Sequence, residues 1–267
     1  MHSLKAIIFD MDGTLADTEE IHRQSFNDAF DAFNIQCHWS PAEYKQLLSI
    51  SGGKERIRDY LMEHDLVPLA QRDIAKLALS IHRKKSEIYR KKLVNDRIRF
   101  RNGVGRLIAE ATQRGVMLGI ATSSSRKNVD TLIQNVMGQD GLTLFNTIVT
   151  CDIVEDKKPS PAVYQFALAE LGLEPDFCVA IEDTHNGNLA ALNAGITTVI
   201  TTHAFTLDDD FAGASLVVDQ LGEPDRPFNV LSGSGNGRDY VDIDLLEHLL
   251  DVEISPAWQK KKVACAE

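Results

Sequence analysis

The chain has 267 residues, with 28 Lys and Arg against 39 Asp and Glu, a formal net charge of −11. A charged fraction of 25% and a hydrophobic fraction of 43% are ordinary for a globular chain of one or two domains, and they exclude a fibrous or largely disordered polymer. The acidic balance argues against a nucleic-acid or anionic-membrane binder, which needs a basic footprint, but allows a small anion held by a few placed cations.

The first apolar run, Ala6 to Phe9, is short and branched and stops at Asp10-Met11-Asp12-Gly13-Thr14-Leu15. It reads as a buried strand running into a loop. No run approaches the roughly 18–20 apolar residues of a membrane span, and no signal peptide is evident. A cytoplasmic protein is expected, with a plastid stroma as the alternative. Cys37, Cys151, Cys178 and Cys265 stand far apart, which fits reduced thiols.

From Thr18 to about Leu93 helical spacing takes over; Ile74, Leu77, Ala78, Ile81 and Ile88 fall on one stripe. After Asn102-Gly103, strand-like runs at 116–121, 147–150, 178–181, 197–200 and 216–218 alternate with helical patterns. That alternation means a mostly parallel sheet. The expected fold is α/β, a Rossmann-like doubly wound sheet with a helical domain inserted after its first strand. Residues 1–17 and 94–222 would form the core and 18–93 the insert. The tail, 223–267, stands apart. Gly222, Pro224, Pro227 and the Gly/Ser run at 232–237 make 222–239 read as flexible, 243–252 as a last helix, and Lys260, Lys261 and Lys262 as a solvated end.

Ligands of an open parallel sheet bind beyond the carboxyl ends of its strands. Four loops there carry reactive groups: Asp10 and Asp12; Thr122, Ser123, Ser124 and Ser125; Lys158; and Glu182 with Asp183. Together they suit phosphoryl transfer. Mg²⁺ takes hard oxygen ligands, and Asp10, Asp12, Glu182 and Asp183 are the available set. A carboxylate can attack phosphorus to give an aspartyl-phosphate. Lys158 and the hydroxyl and backbone N–H groups of Thr122 and Ser123 can meet the charge of the transferring group. Crowded carboxylates repel, which can keep one protonated as a general acid.

Competing motifs fail. Gly52-Gly53-Lys54 has Leu48 where a P-loop needs its earlier glycine and Glu55 where it needs Ser or Thr; Gly103-Val104-Gly105 meets Ile108 where a dinucleotide fold needs glycine. Gly52 and Gly53 can still let backbone N–H groups approach an anion, with Lys54 and Arg56 adding charge. His82 to Lys92 holds six cations (Arg83, Lys84, Lys85, Arg90, Lys91, Lys92) against Glu87. A solvated helix face is the plain alternative. Beside the Gly-Gly-Lys-Glu-Arg loop, a site for a second phosphate is the favoured reading.

At these residues the chain closely resembles the haloacid dehalogenase superfamily of phosphatases, over all four motifs from Asp10 to Asp183 and in the position of a helical (C1) cap. The resemblance implies Asp10 as nucleophile and Asp12 as general acid/base. It further implies that Thr122 and Lys158 orient the phosphate, while Glu182 and Asp183 hold Mg²⁺. A carboxylate at Asp12 favours phosphate chemistry over dehalogenation. The stretches Asp17-Thr18-Glu19-Glu20-Ile21-His22, Ser51-Gly52-Gly53-Lys54-Glu55-Arg56 and His82-Arg83-Lys84-Lys85 look like the β-phosphoglucomutase-like group. Within that group they are most similar to CbbY-type phosphatases, Calvin-cycle accessory enzymes that dephosphorylate xylulose 1,5-bisphosphate. Ser51 stands where that group usually has Thr.

This resemblance implies a monomeric, Mg²⁺-dependent phosphatase of a ketose bisphosphate, with no nucleic-acid or membrane partner. Glu19, His22, Gly52, Gly53, Lys54, Glu55, Arg56, His82, Arg83, Lys84, Lys85, Ser124, Ser125 and Asn128 would then read the substrate. His22 is either a contact or an ordinary helix residue, and either Lys84 or Lys85 reaches the sugar. A phosphomutase using the same aspartate pair and a catalytically idle sugar-phosphate-binding protein are the alternatives.

Overall fold

The computed structural model describes residues 3–64, 66, 73–96 and 98–253; Cys265 and the lysines at 260–262 lie outside them. Short apolar runs form β1 (Ala6–Phe9), β2 (Met117–Ala121), β3 (Thr147–Val149), β4 (Cys178–Glu182), β5 (Thr197–Thr201) and β6 (Leu216–Val218). With β7 (Val230–Gly233) they make one sheet in the order β3-β2-β1-β4-β5-β6-β7, parallel except for β7. The pairing of Glu182 with Ile200 and of Thr201 with Val218 carries β4 and β5 one residue beyond their apolar runs.

Side chains alternate across the sheet. Ile7, Phe9, Leu118, Ile120, Val179 and Ile181 enter one core, shared with α5 (Val104–Arg114), α6 (Arg126–Met137) and α9 (Ile243–Glu253). Ala6, Ile8, Ala121, Cys178 and Ala180 enter the other, under α7 (Ala162–Leu171) and α8 (His185–Asn193). Burial on both faces is why the strands read as continuous apolar runs. The α/β doubly wound architecture is the one the alternation predicts.

Between β1 and β2 stand α1 (Glu19–Ala32), α2 (Pro41–Leu47), α3 (Gly53–Glu63) and α4 (Ile74–Asn95). They share a third core around Trp39, whose ring centroid lies 4.8 Å from those of Phe26 and Phe30 and 5.3 Å from that of Tyr60. Ala78 and Ile81 are buried there, while Ile74, Leu77 and Ile88 are partly buried at its margin. Ser40 and Glu43 cap the start of α2 reciprocally, with Pro41 in its first turn. The chain leaves β1 and returns toward α5 side by side: Ala16 bridges Phe100, and the Arg101 N–H donates to the Leu15 carbonyl at 2.9 Å. Among the described residues no helix is long and apolar enough to cross a membrane.

Residues 222–239 depart from the expected flexible segment. They carry β7, whose Ser232 and Gly233 pair with Val217 and Leu216. Phe228 is only 8% exposed and joins the first core. Asp219 accepts from both the N–H and the Nδ2 of Asn229, at 2.8 and 2.7 Å. Gly233, which reads as a spacer, has φ of 86°, and a Cβ there would meet the Ser215 carbonyl oxygen at 2.4 Å. Close backbone packing, not flexibility, requires that glycine.

Candidate active site

The ladder sets Phe9 opposite Ile120 on one side and Ile181 on the other. The residues that follow, Asp10, Ala121 and Glu182, therefore end neighbouring strands at the carboxyl edge. Lys158 reaches between them from the loop before α7. Its Nζ donates to Asp10 Oδ1 and Glu182 Oε1, each at 2.5 Å, and to the Ala121 carbonyl at 2.9 Å, which uses all three ammonium protons. The Tyr164 hydroxyl donates to Glu182 Oε1 at 2.6 Å. Asp183 Oδ1 accepts from Thr14 Oγ1 at 2.9 Å, and its Oδ2 lies 2.8 Å from His203 Nε2.

This floor is buried and crowded with negative charge. Burial, with Glu182 and Asp183 alongside, pushes the Asp10 carboxyl well above the usual range against the pull of Lys158. Burial also raises Asp183, opposed by His203. For Lys158 burial works downward, but Asp10 and Glu182 outweigh it and hold the ammonium charged.

Asp10, Glu182 and Asp183 offer carboxylate oxygens within 4.8 Å of one another. Three buried carboxylates against one ammonium form a hard, over-negative donor set, and a divalent cation that prefers oxygen fits it. The Asp12 carboxylate, expected as a fourth ligand, is not in this group. It is turned to the opposite wall, where Thr18 Oγ1 and the Tyr89 hydroxyl each donate to its Oδ1 at 2.7 Å. Ser124 Oγ donates to Oδ2 at 2.5 Å, and His22 Nε2 lies 2.9 Å from Oδ1. Burial alone would raise Asp12, but His22, Ser124 and Tyr89 hold it well below the usual carboxylate range.

His22 is thus more than a helix residue: its Nδ1 meets Lys85 Nζ, and its ring stacks on Tyr89 with centroids 4.0 Å apart. Lys85 is 4% exposed, with its ammonium over the Phe26 and Tyr89 rings at 4.5 and 4.9 Å. Burial brings its pKa down to about 7, with Asp12 and Glu19 pulling the other way. Arg56 completes this wall, donating to the carbonyls of Leu47 and Ile50 at 2.8 and 3.1 Å and to the Tyr44 hydroxyl at 3.3 Å. That hydroxyl donates in turn to Glu19 Oε2 at 2.8 Å. Burial, with Lys85 beside it, takes His82 down to about 3, so its ring is neutral.

One cleft between the helices and the sheet brings together Asp10, Asp12, Glu19, His22, Gly52, Gly53, Arg56, His82, Lys85, Thr122, Ser123, Ser124, Ser125, Asn128, Lys158 and Asp183. Glu182 lies behind its floor. Lys54, Glu55, Arg83 and Lys84 do not line it. Glu55 pairs with Lys54 at 3.4 Å and with Lys157 of the sheet side; Lys84 is 3.9 Å from Glu87, and Arg83 is exposed. Of the two lysines left open, Lys85 is the one that faces the cleft.

Sequence reasoning missed Thr14, Tyr44, Tyr89, Tyr164, His203, Lys157 and Asn186. Asn186 Nδ2 ties the two sides by donating to the Ser49 carbonyl and Ser51 Oγ at 3.0 and 3.2 Å. Tyr89 had a signal, since it sits one helical turn beyond Lys85. His203 had none.

A profile of haloacid dehalogenase-like hydrolases matches residues 7–201. The protein CbbY of Cereibacter sphaeroides is 40% identical over 222 residues, 82% of this chain and 94% of that protein. A crystal structure of CbbY from Rhodobacter sphaeroides in complex with phosphate superposes with a TM-score of 0.74 at 40% identity, over 81% of this chain and 94% of that one. An Asp-to-Asn mutant of the Rhodobacter sphaeroides protein, in complex with xylulose 1,5-bisphosphate, gives 0.75 at 39% identity over the same shares. The chain belongs to the haloacid dehalogenase-like hydrolases, and within them it is a phosphatase of the CbbY-like kind.

Proposed function

We propose that the chain is a Mg²⁺-dependent phosphatase of a small phosphorylated sugar, with a ketose bisphosphate such as xylulose 1,5-bisphosphate as substrate. One observation carries the reading. Asp10 and Asp12 face the same cleft in opposite electrostatic settings, Asp10 among carboxylates and Lys158, Asp12 under hydrogen-bond donors. Without a cation these settings favour a proton on Asp10 and an ionised Asp12. A divalent cation held with Glu182 and Asp183 would offset the burial that raises Asp10 and leave it ionised for attack. Asp12, outside that cluster, is then the carboxylate that exchanges a proton with the sugar oxygen. Arg56 and Lys85 on the far wall supply charge for a second phosphate, and the xylulose 1,5-bisphosphate complex of the Rhodobacter sphaeroides relative supports a bisphosphate.

In this reading an Asp10 oxygen bonds to phosphorus as the bond to the sugar oxygen breaks, and Asp12 gives that oxygen its proton. Asp12 must first take up a proton. A sugar that displaces Ser124 or Tyr89 removes a donor from it and moves it toward that form. Asp12, ionised again, takes a proton from the water that hydrolyses the aspartyl-phosphate. Lys158 keeps Asp10 in line, and Thr122 and Ser123 receive the phosphoryl oxygens. Asp10, Glu182 and Asp183 would hold the cation, which when bound neutralises charge on the phosphoryl group. Residues 18–93 serve as the cap that excludes bulk water during transfer.

The test is phosphate release across sugar mono- and bisphosphates with Mg²⁺. Bisphosphates should be preferred, and Asp10→Asn should abolish turnover with its melting curve unchanged. Phosphate release retained by Asp10→Asn would sink the nucleophile assignment. Equal rates with both substrate classes would leave Arg56 and Lys85 as structural groups, and isomerisation without free phosphate would favour the mutase.

A further inference from the structure

The loop after β5 places an imidazole behind the carboxylates of the floor. His203 is 9% exposed, and its Nδ1 accepts from the Phe205 N–H at 3.3 Å. With Nδ1 an acceptor, the ring proton sits on Nε2, which donates to Asp183 Oδ2 at 2.8 Å. The loop is closed on itself: the His203 N–H donates to Thr206 Oγ1 at 3.2 Å, and the Thr206 N–H to the His203 carbonyl at 2.9 Å. Thr14 Oγ1 serves the other Asp183 oxygen at 2.9 Å. Gly13 seals the contact. It has φ of 86°, and a Cβ there would come within 2.1 Å of Asp183 Oδ2 and 2.9 Å of His203 Nε2.

We propose that His203 is a positioning residue for the divalent cation of Asp10, Glu182 and Asp183, fixing the Asp183 carboxylate through the Nε2–Oδ2 hydrogen bond. The proposal rests on the metal reading given above. The terminal torsion of a free carboxylate is broad, so a cation that recruits one must order it. His203 and Thr14 supply that order in advance, one donor per oxygen, and leave a lone pair on each for the ion. The same loop is braced against the helices: Phe205 meets Tyr44 edge-on with centroids 5.6 Å apart. His203 therefore cannot drift without disturbing two packed neighbours.

The test measures binding of Mn²⁺ alone by electron paramagnetic resonance, on wild type, His203→Phe, His203→Gln and Thr14→Val, each checked for folding by its melting curve. Loss of an outer-shell partner weakens metal binding by about 10–100-fold, and His203→Phe should fall in that range. His203→Gln, which can present an amide N–H to Asp183, should recover most of the affinity. A role confined to packing predicts no such rescue. Should His203→Phe fail to fold, Thr14→Val, which removes the opposite donor, should show the same weakening. Equal Mn²⁺ affinity in wild type and the folded donor-deleted variants overturns the role of His203 and leaves the metal reading standing. A wild type that binds no Mn²⁺ overturns both.

Discussion

The Tyr89 hydroxyl donates to Asp12 Oδ1 at 2.7 Å across 77 residues of chain. A helix inserted after the first strand thus holds the acid/base candidate of the loop that precedes it. Tyr89→Phe deletes one donor to an ionised carboxylate, and hydrogen bonds to charged groups are worth about 1.5–3 kcal/mol. The Asp12 pKa should rise, because the bond favours the charged form. Because Asp12 must carry the proton it gives to the leaving oxygen, kcat/KM at alkaline pH should rise relative to its value at acidic pH, and an unchanged ratio would refute the assignment of Asp12.

Lys85 links stability to pH. Its folded pKa of about 7 lies below the ordinary 10.5, so between those values the unfolded chain binds the extra proton. Stability contributed by this group should therefore increase as pH rises from 7 toward 10. The deeply buried tyrosines Tyr44, Tyr89 and Tyr164, all raised by burial, stay neutral over that window. Urea titrations at pH 7 and pH 9 should show the rise in wild type and a flatter response in Lys85→Met. A parallel response in both proteins would contradict it.

Lys158→Met removes the ammonium shared by two buried carboxylates. Breaking a buried pair from one side costs about 3–5 kcal/mol, because the remaining charge is stranded. The unfolding free energy should drop by that amount, and millimolar Mg²⁺ should restore part of it by binding only the folded chain. A loss under about 1 kcal/mol, the scale of an exposed pair, would count against the geometry.

Glu55 of α3 pairs with Lys157 of the sheet side, with both side chains 24% exposed. At that exposure the pair is worth at most about 1 kcal/mol. Glu55→Gln should leave the melting temperature nearly unchanged while raising KM and speeding hydrogen exchange at the amides of residues 52–56. Unchanged exchange would show that the pair does not help to close the cleft.

Much of the site was legible because parallel topology makes strand ends neighbours. Once Phe9, Ile120 and Ile181 are assigned to strands, Asp10, Thr122 and Glu182 must share an edge, whatever else the chain does. Lys85 was separable from Lys84 by helical phase, since it shares a face with Ala78, Ile81 and Tyr89. What stayed hidden were contacts made by tertiary approach. His203 reaches Asp183 through a loop with no periodicity, and Tyr164 was visible only as a helix residue. β7 escaped for another reason. All four of its residues are exposed, so pairing rests on the backbone and leaves no alternation to read. Asp12 was placed with the metal by its charge alone, which says nothing about the direction its side chain takes.

The paired crossings at Ala16–Phe100 and Leu15–Arg101 are laid out like a piano hinge: two cords side by side would permit a swing and resist twist or slide. Thr18, His22 and Tyr89 ride on the door leaf, while Asp12 and Ser124 belong to the frame. A swing that admits solvent would strip three of the four partners from Asp12 in a single stroke. Deprived of them, the carboxylate becomes a stronger base at the moment water reaches it. One angular coordinate would then time two events, and the movement that lets the second reactant in would be the one that rearms the base.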